Sequence, residues 1–254
     1  TLTLTNGHKH ITTLLTSIIA VILCCFSARC HAQEIEFPYP FPMFPLGPST
    51  DTLEICILGD MMMHSAQIEN ARTRDSEYDF SSYFHLIEDR IKEADIAIAN
   101  MEYTLAGKPY TGYPAFSAPE AYATYLADLG IDVFLTANNH IFDKGATGAD
   151  KTIDEFQKLG IQITGIAKDQ QMYDQVFPLI LECKGASIAL LNVTYGTNIG
   201  TGKEWPKIMR INEKEAMSAA LSKADGCDFV LVLPHWGTEY HLNHSASQEK
   251  DAKW

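Results

Sequence analysis

From Thr52 onward the chain alternates short apolar runs with longer stretches that are polar on one face. "LEICIL" (53–58), "DIAIAN" (95–100), "DVFLTA" (132–137), "IQITGI" (161–166), "SIALLNV" (187–193) and "DFVLVL" (228–233) are brief and rich in Ile, Val and Leu, so each predicts a buried strand. Segments 82–94, 119–129, 148–159 and 213–224 predict helices between them. Ser81 and Ser82 are candidate N-caps for the first helix, and Gly130 and Gly160 stop the second and third. "PLILECKGASIALLNV" (178–193) reads as a hairpin turning at Lys184 and Gly185, which makes the sheet mixed. A polar helix begins in "SASQEKDAKW" (245–254). Alternation of this kind implies one layered α/β domain over residues 51–254.

Two segments precede that domain. Residues 1–32 have the layout of a secretory leader: Lys9 among histidines, the apolar stretch "LLTSIIAVILCCF" (14–26), then small residues up to Ala32. Cys30 and Ala32 stand at the offsets of a type I cleavage, leaving Gln33 as the new terminus. This predicts export to the periplasm or cell envelope, with an uncleaved membrane anchor as the alternative. Residues 33–50 contain "FPYPFPMFPLGPST", which holds five of the eleven prolines and reads as a stiff, extended linker.

Composition narrows the function. A chain of 254 residues, 46% hydrophobic and 20% charged, suits a folded globular domain. Its net charge of −13 excludes nucleic acid as a partner, because phosphate neutralisation needs a basic surface. Of the six cysteines only Cys56, Cys183 and Cys227 lie beyond the leader, and this odd trio in or beside strand-like runs reads as thiols rather than disulfides.

The chemistry collects where strands end. Asp60 follows "ICIL", Asn100 and Glu102 follow "IAIA", Asn138, Asn139 and His140 follow "VFLTA", and His235 follows "LVLP". In open α/β sheets the carboxyl ends of strands face a shared crevice, so four distant segments can converge. Asn100 and Glu102 are two apart and share a strand face. Carboxylate, amide and imidazole together suit Mn, Fe or Zn better than Ca²⁺, and an acidic side chain between two ions can bridge them. Taken singly each has a plain reading: Asp60 as a turn residue, the asparagines as loop amides, His235 as part of a packed aromatic pair with Trp236, Glu102 as a solvated acid. Their coincidence is what points to a site.

The motifs "ILGDMMMH", "IANMEYTLAG", "GYPAFSAPE", "TANNHIFDKGATG", "NVTYGTN" and "HWGTEY" carry a family likeness across nearly everything after residue 52. In them the chain resembles the CapA-like bacterial capsule, or poly-γ-glutamate, biosynthesis proteins of the calcineurin-like metallophosphoesterase superfamily. The resemblance implies an α/β/β/α sandwich with mixed sheets and a divalent transition metal, one ion or two. It implies Asp60 as a ligand, Glu102 as the bridging acid, Asn139 and His235 as further ligands, and His140 as the catalytic acid or charge stabiliser. His64 reaches the cluster if its loop curls back, and is otherwise a surface imidazole. Asn100, Asn138, Asp143, Glu239 and Tyr240 fit an outer shell that orients the ligands, while His241 and His244 read as loop residues. An anionic polymer or a phosphoester would be the substrate, and membrane capsule synthase subunits are candidate partners.

The chain departs from the superfamily in two ways. "GDMMMH" and "NME" replace the usual Asp-x-His and Gly-Asp-x-x-Asp, and the closing Gly-x-His-x-His motif would follow beyond Trp254, so the domain reads as truncated. Two readings stay open: metal-assisted hydrolysis or transfer, and a non-catalytic polymer-binding or assembly component. A glycosidase built on Glu102 and Glu239 leaves the "NNH" run unexplained. "GTNIGTGKE" (196–204) fails as a phosphate-binding loop because Glu204 stands where Ser or Thr must hold Mg²⁺.

Overall fold

The computed structural model describes residues 52–254; the expected leader and linker lie outside the described residues. Four strands, β1 (Ile55–Met61), β2 (Ile96–Met101), β3 (Val133–Leu135) and β4 (Gln162–Thr164), form a wholly parallel sheet in the order β1-β2-β3-β4. The crossovers carry α1 (Ser65–Ala71) and α2 (Glu88–Glu93), then α3 (Glu120–Asp128), then α4 (Gly145–Lys158). Beyond β4 come β5 (Ile166–Ala167), α5 (Gln170–Val176), β6 (Leu179–Cys183), β7 (Ala186–Thr194), β8 (Lys207–Ile208), α6 (Lys214–Ser222), β9 (Phe229–His235) and α7 (Ala246–Lys253). β6 and β7 are the expected hairpin around Lys184 and Gly185, and β9 joins β7 in parallel, so this second sheet is the mixed one.

Side-chain alternation stacks the layers. Ile96 and Ile98 of β2, with Val133 and Leu135 of β3, meet Ile188 and Leu190 of β7 between the two sheets. The opposite face of β2 and β3, through Ala97, Ala99, Met101 and Phe134, packs under the first helix layer with Leu126, Ile153 and Phe156. Leu191 and Val193 turn the other way and are covered by Val176, Phe177, Met217 and Ala220 of the α5–α6 side. The order is therefore helix, sheet, sheet, helix, as the periodicities require. Ile57 and Phe229, on the outer strands β1 and β9, are about half exposed, so the space between the sheets is open along that side.

The glycine stops are built as expected. Gly130 at φ 107° takes the left-handed position after α3, letting Ile131 N donate to Leu126 O and Gly130 N to Ala127 O. Gly160 repeats the pattern after α4. The first helix differs: α2 begins at Glu88, and residues 81–87 form turns. Phe80 and Phe84 pack on Tyr122 and Tyr125 of α3, and this aromatic cluster sets the path of the segment that the spacing assigned to a helical turn. Ser81 and Ser82 consequently cap nothing. Cys56, Cys183 and Cys227 are free thiols, each half-buried rather than sealed in the core. No helix among the described residues is long and apolar enough to cross a membrane.

Candidate metal centre

Parallel pairing aligns the carboxyl ends of β1, β2, β3, β7 and β9 at one rim, and the polar residues that follow them meet there. Register puts Asp60 beside Asn100 in the β1–β2 pair, with an irregularity between Leu58 and Asp60. Met101 points into the helix-side core, so Asn100 and Glu102 on either side of it face the crevice. Asp60, Glu102 and His235 bring one ligand atom each to within 4.8 Å of one another. His235 Nδ1 is 3.7 Å from Asp60 Oδ1 and its Nε2 is 3.8 Å from Glu102 Oε1.

The asparagines knit these side chains together. Asn100 Nδ2 donates to Asp60 Oδ1 at 2.7 Å and lies 3.3 Å from His235 Nδ1. Asn138 Nδ2 donates to Asn100 Oδ1 at 3.2 Å and to Met101 O at 2.9 Å, while its own Oδ1 accepts from His140 N at 3.1 Å. Asn139 Oδ1 faces His235 Nε2 at 2.8 Å. Asn100 thus touches Asp60 and His235, and Asn138 touches Asn100 and the loop that carries His140.

His140 is fixed by Asp143, whose Oδ2 lies 2.7 Å from Nδ1 and also accepts from Phe116 N at 2.8 Å. A carboxylate only accepts, so Nδ1 carries the proton and Nε2 is turned toward Glu102, 3.8 Å away. The Phe116 ring meets both His140 and His64 edge-on, with centroids 4.7 and 5.0 Å away. Asp143→Ala removes the acceptor of two buried donors, and a loss of about 3 kcal/mol in urea unfolding is expected. The same variant should lower the rate of any His140-dependent activity, because the ring is no longer held in one tautomer.

Electrostatics divide the two acids. The His235 imidazole beside Asp60 is the largest influence and, with the Asn100 amide, brings the Asp60 carboxyl down to about 2, against the opposing effect of its partial burial. Glu102 is pushed up to about 8, first by burial and then by the Asp60 charge. Its Oε2 is buried with no hydrogen-bond partner among the described residues. Carboxylates crowded this way, one with an orphaned buried oxygen, fit a cation between them. The donor set of two carboxylates and an imidazole, with the Asn139 amide adjacent, suits a first-row transition metal.

The remaining expected residues are placed as follows. His64 stands exposed on the cleft wall, where its backbone N–H donates to Gln67 Oε1 at 2.8 Å; it is outside the close trio. Glu239 lines the cleft and raises Glu102 through its charge, but no hydrogen bond ties it to a ligand among the described residues. Tyr240 lines the cleft, fully exposed at φ 62°, and among the described residues no hydrogen bond ties it to Asp60, Glu102 or His235. His241 and His244 lie on the outer wall of the cleft.

Sequence reasoning gave no role to Asn192, Asn198, Tyr195 or Phe116. Asn192 Oδ1 accepts from Thr136 N at 3.0 Å and Ala137 N at 2.7 Å, and its Nδ2 donates to Leu233 O at 2.8 Å, clamping the loop before His140 onto the second sheet. A lone amide inside the apolar run "LLNV" was the available signal. Asn198 N donates to Asn139 O at 2.9 Å, and its Nδ2 sits 3.4 Å from His140 Nδ1. Tyr195 stacks on His235 with ring centroids 6.0 Å apart.

Comparison with known proteins finds similar chains among capsule biosynthesis proteins. The chain is 26% identical over 249 residues to the capsule biosynthesis protein CapA of Bacillus anthracis, covering 93% of this chain and 57% of that protein. It is 25% identical over 217 residues to the PGA biosynthesis protein CapA of Bacillus subtilis (strain 168), covering 81% of this chain and 54% of that one. The chain thus spans little more than half the length of these relatives. Residues 54–254, the whole region that folds into the layered sandwich, match the family of bacterial capsule synthesis proteins PGA_cap, and the chain belongs to that family.

Proposed function

We propose that this domain performs metal-assisted hydrolysis or transfer at an anionic centre during production of a capsular polymer, polyglutamate being the candidate, in the cell envelope. The observation that carries it is the trio of Asp60, Glu102 and His235 around a buried carboxylate oxygen without a partner among the described residues. Asp60, Glu102 and His235 would hold the cation, with Asn139 as the further ligand. When bound, such an ion lowers the pKa of a coordinated water and neutralises developing negative charge.

The protein's own groups supply the rest. His140 Nε2 faces the centre and carries or releases a proton, while Asp143 keeps the other ring nitrogen protonated. Asn100 and Asn138 hold Asp60 and the His140 backbone in place. The Phe116 ring packs edge-on against the imidazole.

The test uses protein purified with its full native C-terminus and loaded with Mn²⁺. His140→Ala is expected to keep the metal by elemental analysis and to lower turnover of phosphodiester or polyglutamate substrates by about 100-fold or more. Metal retention with wild-type turnover in His140→Ala would remove His140 from the chemistry. A metal-loaded wild type without turnover on either substrate would favour the assembly role, which pull-down of membrane synthase subunits then examines.

A further inference from the structure

The cleft over the centre has a volume of about 640 Å³ and is open to solvent, room for a few units of a chain-like ligand. Asp60, Glu102 and Glu239 line it, and among the described residues no lysine or arginine does. An anionic group therefore finds its strongest position of favourable sign over the trio that holds a cation on the reading above; near Glu239 it is repelled, and the imidazoles of His64, His241 and His244 are further basic groups of the lining. The rim is instead aromatic. Tyr113 is 74% exposed and Tyr195 51%, and both line the cleft together with Tyr240. Tyr195 is held as a platform by its stack on His235, the ring planes 22° apart. Such faces offer contact area at little entropic cost and stack on flat, uncharged groups such as amides.

We propose that the cleft takes the end of an amide-linked chain, one terminal anionic group at the cation position and the adjoining amide units against Tyr195 and Tyr113, and that it disfavours the interior of a polyanion. A ligand with a charge on every unit has one carboxylate satisfied and the next ones beside Glu239, with the imidazoles of His64, His241 and His244 but no lysine or arginine among the described residues to meet them. The chain end is thus the productive way in. This rests on the cation-centre reading, and the experiment separates the two.

Mn²⁺ is first titrated alone into the full-length protein by calorimetry. The loaded protein is then titrated at low ionic strength with γ-linked hexaglutamate, with the same hexamer whose interior α-carboxylates are amidated, and with the hexamer whose terminal unit is amidated. The interior-amidated hexamer is expected to bind about tenfold tighter than the parent, and the terminally amidated one about tenfold weaker. Tyr113→Ala should weaken the parent about fivefold with Mn²⁺ binding unchanged, and Glu239→Gln should narrow the gap between parent and interior-amidated forms. Equal binding of the terminally amidated and parent hexamers, or tighter binding of the parent than of the interior-amidated form, overturns the proposal while leaving the cation centre standing. Absence of Mn²⁺ binding in the first titration overturns the centre itself and this inference with it.

Discussion

Gly165→Ala is expected to prevent the domain from reaching its native state, or to cost it at least about 4 kcal/mol. Gly165 sits at φ 108°, and a Cβ there would lie 2.1 Å from Asn192 Oδ1 and 2.4 Å from Ala137 N. The second of these is backbone and cannot swing aside. The crowding exists because Asn192 must reach across from β7 to the loop after β3, and only a residue without a side chain lets the β4–β5 turn pass that close. Asn192→Ala is expected to be milder, at about 3 kcal/mol: Ala137 N loses its acceptor while Thr136 N retains Thr164 O at 2.9 Å. Urea unfolding followed by tryptophan fluorescence measures both. A Gly165→Ala protein within 1 kcal/mol of wild type, a threshold set by ordinary surface substitutions, would mean that the clamp does not hold the His140 loop as described.

EDTA-treated protein is expected to lose stability steadily from about pH 5 to pH 8, and Mn²⁺ to restore it most at the alkaline end. Glu102, 7% exposed, is held up to about 8 from an ordinary value of 4.5, by burial first and the Asp60 charge second. The folded state thus binds the Glu102 proton more tightly than the unfolded chain. Its contribution is fully present below pH 4.5 and is lost as pH rises through 8, with a ceiling of roughly 5 kcal/mol. Asp60, lowered to about 2, acts in the opposite sense; its contribution is present above 3.8 and lost only as pH falls through 2, so the neutral window belongs to Glu102. A cation binds the ionised carboxylates and competes with the proton, so the thermal shift on adding Mn²⁺ grows over the same window. Glu102→Gln should flatten both profiles. Melting temperatures at pH 5, 6, 7 and 8, with EDTA and with Mn²⁺, decide it: wild-type and Glu102→Gln curves that run parallel would contradict this placement of the acid.

The layered fold is legible because its signals are local and redundant. The apolar runs of β2, β7 and β9 have few polar interruptions, and Gly130 and Gly160 mark helix ends by a backbone conformation that other residues avoid. Convergence at the rim is legible too, since parallel strands with polar residues at their carboxyl ends leave Asp60, Glu102, His140 and His235 little choice of direction. The late start of α2 is not, because Phe80 and Phe84 answer to tyrosines on α3, some 40 positions along the chain. α1 and α5 escape because seven residues are too few to show a period. Asn192 and Asn198 act through partners 41 to 59 positions away, a separation that no spacing rule connects. Tyr240, placed by the resemblance in an outer shell, is carried by a turn at positive φ to the exposed rim of the cleft, a position that "HWGTEY" does not reveal.

The central claim is that strand ends far apart in sequence jointly hold a transition-metal ion. Crystals of the full-length protein grown with Mn²⁺, with diffraction recorded on both sides of the manganese absorption edge, test it directly. The account predicts an anomalous peak in contact with Asp60, Glu102 and His235 that vanishes in Glu102→Gln crystals. Manganese bound only elsewhere, with these three side chains hydrogen-bonded as before and no peak between them, would contradict it.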